Sequence, residues 1–262
     1  MLAFNTETRD LAAPEIRARI NALARRQKPR IVFKKIDSLM RGNPAIEIAA
    51  ALEAYGCEEA IATPAFPAMG RRVIGGQLLV DRIPGWTSID VSAIARDAET
   101  DDDLRRLVRE GLASGRRILW AGSGGLAGAL AEELLGPVEM PAPAPAVHGP
   151  TVFCIGSDHP VTLAQQALLT EHGHTCVPPD GIPETLGALF ITGGDTASLV
   201  CRSIGAKAIE LEGEILTGLP WGYMVGGRFD GKPIATKSGA FGSPGALLQV
   251  AAFFANVKEA QS

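Results

Sequence analysis

The sequence predicts an α/β fold of two α/β domains with mainly parallel sheets, joined by a proline-rich linker. Three observations carry this. Short apolar runs of strand length alternate with longer amphipathic runs of helical period. Several of the strand-to-helix junctions are glycine turns. A proline-dense stretch interrupts the alternation, which then resumes. At 262 residues, 46% hydrophobic and 21% charged, the chain can bury a core in each of two modest domains.

Taken in order, "LAFNTET" reads as a strand and "APEIRARINALARRQ" as a helix, with Pro14 in its first turn and Ile16, Ile20 and Leu23 on one face. "RIVFKKI" is a strand. "NPAIEIAAALEAYG" is a helix with Asn43 as cap, Pro44 at its first position and Gly56 as stop. "AIATPAF" is a short strand, "DDDLRRLVREGLASG" a helix, "RRILWAG" a strand and "GGLAGALAEELLG" a helix. Residues 137–149 carry Pro137, Pro141, Pro143 and Pro145 and form the expected linker between residues 1–136 and 150–262. Beyond it come "TVFCIGS", "GALFITGG", "AKAIELEGE" and "KPIATKSG" as strands. "HPVTLAQQALLTEHG", "DTASLVCRSIG" and "SPGALLQVAAFFANV" are the helices.

Several functions are excluded or disfavoured. The formal charge is −4, so the chain lacks the basic excess of a general nucleic-acid binder. No apolar run approaches membrane-spanning length, and Glu7, Arg9 and Asp10 interrupt any signal-like apolar core. Cys57, Cys154, Cys176 and Cys201 match no zinc spacing and read as reduced thiols of a cytoplasmic protein. There is no GxxxxGK[ST] phosphate loop. "GSGGLA" at 122–127 is a loose dinucleotide-type turn with no acidic residue about 20 positions on, and tight helix–strand packing explains it better. The acids of "TDDDL" suit a helix's first turn better than a metal.

Four segments carry candidate chemistry. In "RIVFKKID" strand alternation puts Ile31, Phe33, Lys35 and Asp37 on one face and Val32, Lys34 and Ile36 on the other. Lys35 and Asp37 then share the C-terminal end of a strand, where open parallel sheets bind ligands, with Arg41 close behind. Two cations and a carboxylate there can clamp a small hydroxy acid, or form a surface ion pair. "IGSDHPVT", "ITGGDTASLV" and "ATKSGAFGSPGALL" are glycine turns between a strand and a helix. Each can present backbone N–H groups to a phosphate, as it can serve as an ordinary turn. In the last of them Lys237 supplies charge, Ser243 is a candidate cap and Pro244 suits the first helical turn. Three such turns in one domain favour a nucleotide site.

"KKIDSLMRGN", "TPAFPAMGRRVIGGQLLVD", "GSGGLAGALA", "GSDHPVTLAQ", "ITGGDTA" and "TKSGAFG", in this order, resemble the four-carbon acid sugar kinases over nearly the whole chain. The resemblance implies an ATP-dependent kinase whose N-terminal domain holds a threonate- or erythronate-type acid and whose C-terminal domain holds ATP with Mg²⁺. Arg9, Lys35, Asp37, Ser38 and Arg41 would line the acid-sugar pocket, with Lys35 and Asp37 catalytic. Ser157, Gly193, Gly194, Asp195, Thr196, Lys237, Gly239 and Gly242 would bind the nucleotide, and no metal ligand is singled out. The expected partners are the sugar acid and ATP, with no nucleic acid and no membrane; a homo-oligomer is compatible with the sequence. Members of that family usually begin with a strand and an "ADDxTGA" turn upstream of the segment matching "LAFNTETR". Their nucleotide domain is also longer between the stretches matching "TLAQQ" and "GGDTA". A shortened, catalytically impaired ligand-binding or interaction protein that retains the kinase scaffold is therefore the second reading.

Overall fold

The computed structural model describes residues 2–81, 87–136 and 143–255. The chain divides into two compact units, Met1–Val138 and Glu139–Ser262. Residues 137–142 of the expected linker lie outside the described residues, and 143–149 are irregular.

The first unit contains α1 (Ala13–Arg26), β1 (Val32–Lys35), α2 (Pro44–Ala54), β2 (Glu59–Thr63), β3 (Arg71–Ile74), β4 (Gln77–Val80), β5 (Ile89–Asp90), α3 (Asp101–Ala113), β6 (Ile118–Gly122) and α4 (Gly124–Leu135). Its central sheet is parallel, in the order β1-β6-β2. Strand alternation sorts the core. Val32, Leu119 and Ala121 face Ile16, Ile20 and Ile48 of α1 and α2. Ile118 and Trp120 face Leu104, Val108 and Leu126 of α3 and α4 on the other side. The strands end in one row, with Lys35 and Thr63 each paired to Gly122.

The sequence reading missed the antiparallel sheet β3-β4-β5. Gly75 and Gly76 join β3 to β4 with φ of 57° and 73°, a two-residue turn that glycine adopts without steric cost. "LAFNTET" is irregular rather than a strand: no strand among the described residues pairs with it, and Leu2 and Phe4 are exposed.

The second unit contains β7 (Thr151–Ile155), α5 (Pro160–Glu171), β8 (Cys176–Val177), β9 (Ala188–Thr192), α6 (Gly194–Ser203), β10 (Ala208–Leu216), β11 (Leu219–Val225), β12 (Pro233–Lys237) and α7 (Ala246–Ala255). Its sheet runs β10-β11-β12-β9-β7-β8, parallel from β12 to β8 and antiparallel from β10 to β12. Phe153, Phe190 and Ala235 pack with Leu169 of α5 and Val250 and Phe254 of α7. Cys154, Ile191 and Ile234 pack with Val200 of α6 on the opposite face. The fold is thus mixed α/β with parallel central sheets. The last helix starts at Ala246, after a turn through Pro244 and Gly245, so neither Ser243 nor Pro244 opens it as expected.

β11 was also missed, because Pro220 and Gly222 lower its strand signal. Gly222 is there for space: a Cβ on it would lie 2.0 Å from the Glu210 carbonyl oxygen of β10. Gly222→Ala should destabilise the chain by about 1–3 kcal/mol, read as a lowered midpoint in urea unfolding.

Candidate functional sites in the two units

In the first unit, β1 feeds a turn at the C-terminal edge of the sheet. Asp37 receives the Leu39 N–H at 2.8 Å and, from Arg41, Nε at 3.1 Å and Nη2 at 2.7 Å. The Met40 N–H closes the turn on the Asp37 carbonyl at 3.0 Å. Met40 holds a left-handed backbone with φ of 59°, a conformation costing about 1 kcal/mol in a non-glycine residue. That conformation is part of the backbone path that returns Arg41 to Asp37. Arg9 Nη2 lies 3.8 Å from the same carboxylate oxygen. The structure therefore joins Arg9, Asp37 and Arg41, with Ser38 half-buried in the turn between them.

Lys35 is placed differently from its neighbours. Its ammonium donates to the Ile36 carbonyl at 2.7 Å, yet Asp37 is near enough to act on it electrostatically. Surrounding protein and the nearby cations lower its pKa, against the pull of Asp37. Burial acts to raise the Asp37 pKa, but the Arg41 and Leu39 hydrogen bonds and the cations hold it below 3.8. Lys34 turns to the opposite face, as alternation requires, and pairs with Glu47 of α2 at 3.0 Å.

Three features were not legible in the sequence reading. Arg71, at the start of β3, is nearly buried and feels both Asp37 and Asp81. The Thr8 hydroxyl donates to Glu47, and both residues are buried. Asn43 makes no side-chain cap; its Nδ2 donates to the carbonyls of Arg9 at 3.1 Å and Leu11 at 3.2 Å. Glu47 and Asn43 thus fasten the segment that carries Arg9 onto α2. Four cations, Arg9, Lys35, Arg41 and Arg71, surround one carboxylate, in a chain whose net charge is −4. That excess suits a small anion.

"GSGGLA" is packing. A Cβ on Gly124 would meet Phe66 at 2.7 Å and one on Gly125 the Ala65 carbonyl at 2.6 Å, while Ser123 Oγ donates to that carbonyl at 2.9 Å. The Thr100 hydroxyl and the Asp103 carboxylate form a reciprocal cap on α3, which explains that acid's place in "TDDDL". Among the described residues no cluster of His, Cys, Asp and Glu could hold a metal ion by itself.

In the second unit the three glycine turns meet. Ile155 and Lys237 both pair with Thr192, so β7, β9 and β12 end in one row. β7 leads to β8 on one side of the sheet and β9 leads away on the other, which makes their shared edge a topological switch point. The N-termini of α5 and α6 open at this edge and favour anions. The Gly193 N–H donates to the Lys237 carbonyl at 2.9 Å, and φ at Gly193 is 99°. Thr196 Oγ1 donates to the Gly156 carbonyl at 3.2 Å, crossing the switch point. Ser157 faces Gly239: a Cβ there would lie 2.2 Å from Ser157 Oγ. Gly194 has nothing within 4 Å of its Cβ position, and Asp195 beside it is exposed. Gly242, with φ of 86°, shapes the loop after Gly239.

Lys237 directs its charge inward, beneath the loop that follows β12. It is almost fully buried, and its ammonium donates to the carbonyls of Ser238 at 3.0 Å, Gly239 at 3.3 Å and Phe241 at 3.1 Å, and to Thr162 Oγ1 at 3.4 Å. Gln165 Nε2 adds bonds to the carbonyls of Phe241 at 3.1 Å and Ser243 at 2.8 Å. Lys237 and α5 together fix the 238–243 loop from beneath. Burial lowers its pKa to about 8.

Two pH effects follow. Asp37 has a depressed folded pKa, so its stabilisation is complete above its unfolded value, near 3.8, and is lost as pH falls through the folded value. Thermal melts below pH 4 should therefore depend less steeply on pH in Asp37→Asn. For Lys237, between about 8 and 10.5 the unfolded chain binds a proton that the folded chain has released. Stability gained from this group over that interval should be present in the unaltered chain and missing in Lys237→Met.

Comparison with known proteins gives these arrangements a family. Residues 1–89 match the model of a sugar-binding N-terminal domain and residues 179–247 that of a nucleotide-binding C-terminal domain. A D-threonate kinase of Bordetella bronchiseptica is 27% identical, over 96% of this chain and 85% of its own. Its alignment runs over 354 positions against a chain of 262 residues, so the relative carries internal segments with no counterpart here. A D-erythronate kinase of Heliobacterium modesticaldum is 36% identical over 104 residues, 38% of this chain and 23% of its own. The crystal structure of a Haemophilus influenzae protein shares the fold, with a TM-score of 0.65 at 18% identity over 95% of this chain and 88% of that one. With two domain models in the expected order and relatives aligned over nearly its whole length, the chain belongs to the four-carbon acid sugar kinase family.

Proposed function

We propose that the protein phosphorylates a four-carbon sugar acid, a threonate- or erythronate-type tetronate, with Mg-ATP. The observation that carries this is the pairing of two anion sites of different design in one chain. In the first unit, Arg9, Lys35 and Arg41 surround Asp37 at a strand end. A guanidinium there can grip the acid's carboxylate through two N–H groups. Asp37 is ionised at neutral pH and can accept a bond from a substrate hydroxyl, orienting it and receiving its proton. Ser38 offers a second polar contact.

In the second unit, phosphates would rest on the N–H groups that open α6 at Gly194 and Asp195, with Ser157, Gly193, Thr196, Gly239 and Gly242 shaping the cradle. The openness at Gly194 leaves room for that approach. Lys237 supports the cradle by holding its loop. Phosphoryl transfer needs alignment and charge neutralisation more than covalent help from the protein. Mg²⁺ bound with the nucleotide would supply part of that neutralisation, and Asp195, at the start of α6, is the carboxylate of the cradle that would hold it.

Purified protein given Mg-ATP and a panel of tetronic acids should release ADP with at least one acid; no acid-dependent release with any of them would contradict the proposal. Asp37→Asn should cut kcat by about 100-fold or more while shifting the melting midpoint far less. Equal fractional losses of activity and stability would make Asp37 structural. Gly194→Val should raise the KM for ATP at least tenfold with the melting midpoint nearly unchanged, because its side chain enters space that is otherwise empty.

A further inference from the structure

We infer that the nucleoside end of the nucleotide lies in a cleft along α6, seated on Leu199 and flanked by the 178–183 loop and Arg228. The inference rests on the nucleotide reading given above and adds to it the seat of the base.

The cleft is lined by Pro179, Asp180, Ile182, Leu199, Ser203 and Arg228, and has a volume of about 530 Å³. That is the size of an ordinary small-molecule site, and its lining is the usual one, mostly apolar with a few polar groups that can orient a ligand. Its position on α6 connects it to the phosphate cradle. Asp195, Leu199 and Ser203 recur every four residues and so form one stripe along the helix. The stripe begins at the open Gly194–Asp195 turn and ends in the cleft. At 1.5 Å per residue, Leu199 lies about 7.5 Å along the axis from Gly194 and Ser203 about 13.5 Å. A nucleotide with its phosphates on the helix N-terminus would lay its sugar and base along this stripe.

Three further observations place a base here. Leu199 is 54% exposed although it sits in the middle of a helix whose other face is core, so an apolar seat is left uncovered. Arg228 is held in place, donating to the Pro183 carbonyl and lying 4.9 Å from the Phe229 ring centre, which pre-orients a planar group against which a base can stack. The 178–183 loop leaves β8 at Val177, which pairs with Cys154 near the end of β7, so this side of the cleft starts at the switch-point edge. All of the lining falls within residues 179–247, the stretch matched by the nucleotide-binding domain model.

The test compares two ligands of the full chain by calorimetry in Mg²⁺: ATP, which has a base, and inorganic tripolyphosphate, which has none. Leu199→Gln removes the apolar seat and Ser203→Trp fills the cleft; both positions are exposed and neither change adds charge. Each should weaken ATP at least tenfold and change tripolyphosphate less than twofold, with unchanged melting midpoints. Gly194→Val should weaken both ligands. Unchanged ATP affinity in both cleft variants would overturn the inference and leave the phosphate cradle standing. Equal weakening of both ligands would overturn it too, since the damage would then lie at the phosphates. Failure of the unaltered chain to bind ATP would remove the nucleotide reading and this inference together.

Discussion

The constraint beneath both sites is the common register of parallel strands. Parallel strands in register end together, and each hands its chain to a turn or helix at the same edge. In the second unit, the pairings of Thr192 with Ile155 and with Lys237 bring three glycine turns, distant in sequence, side by side. In the first, the pairing of Lys35 with Gly122 puts the Asp37 turn at the sheet's C-terminal edge. Without that register, the helix N-termini and the charged residues would be scattered singles.

Under the proposed function, the two edges solve different electrostatic problems. The first unit gathers full charges, and its carboxylate is held ionised by guanidinium and backbone N–H donors. It suits a compact acid whose carboxylate needs a directional grip. The second unit relies on backbone N–H groups and helix N-termini, with its lysine withdrawn under the loop. A triphosphate is larger and more highly charged, and backbone donors can follow its outline without long side chains to order. Lys237 shows how the second design is maintained. A buried ammonium bonded to carbonyls of one loop fixes the loop's path, and the loop in turn places Gly239 against Ser157.

Much of this was legible from local pattern. The two-residue period of "RIVFKKID" separated Lys34 from Lys35, and the structure sends Lys34 to Glu47 and leaves Lys35 on the side of Asp37. The glycine turns were found because strand, glycine and helix start fall in a fixed order. What stayed hidden depends on partners remote in sequence. Arg71 approaches Asp37 only through the antiparallel sheet, whose short strands and Gly75–Gly76 turn do not fit the strand–helix alternation of the rest of the chain. Asn43 has the residue type of a cap, but its side chain is oriented instead by Nδ2 donation to the carbonyls of Arg9 and Leu11. The sequence marked Lys237 as a charge in a glycine turn, but its burial depends on α5 and the 238–243 loop packed over the strand's last residue. "LAFNTET" has strand composition, and composition cannot supply a neighbouring strand.

The central claim, transfer of a phosphoryl group to a sugar acid, is tested most directly by ³¹P NMR of the protein with Mg-ATP and a tetronic acid. The expected result is a new phosphomonoester resonance that grows in step with ADP and requires the acid. ADP appearing with inorganic phosphate and no ester, or no change in the ATP resonances with any tetronic acid, would contradict it.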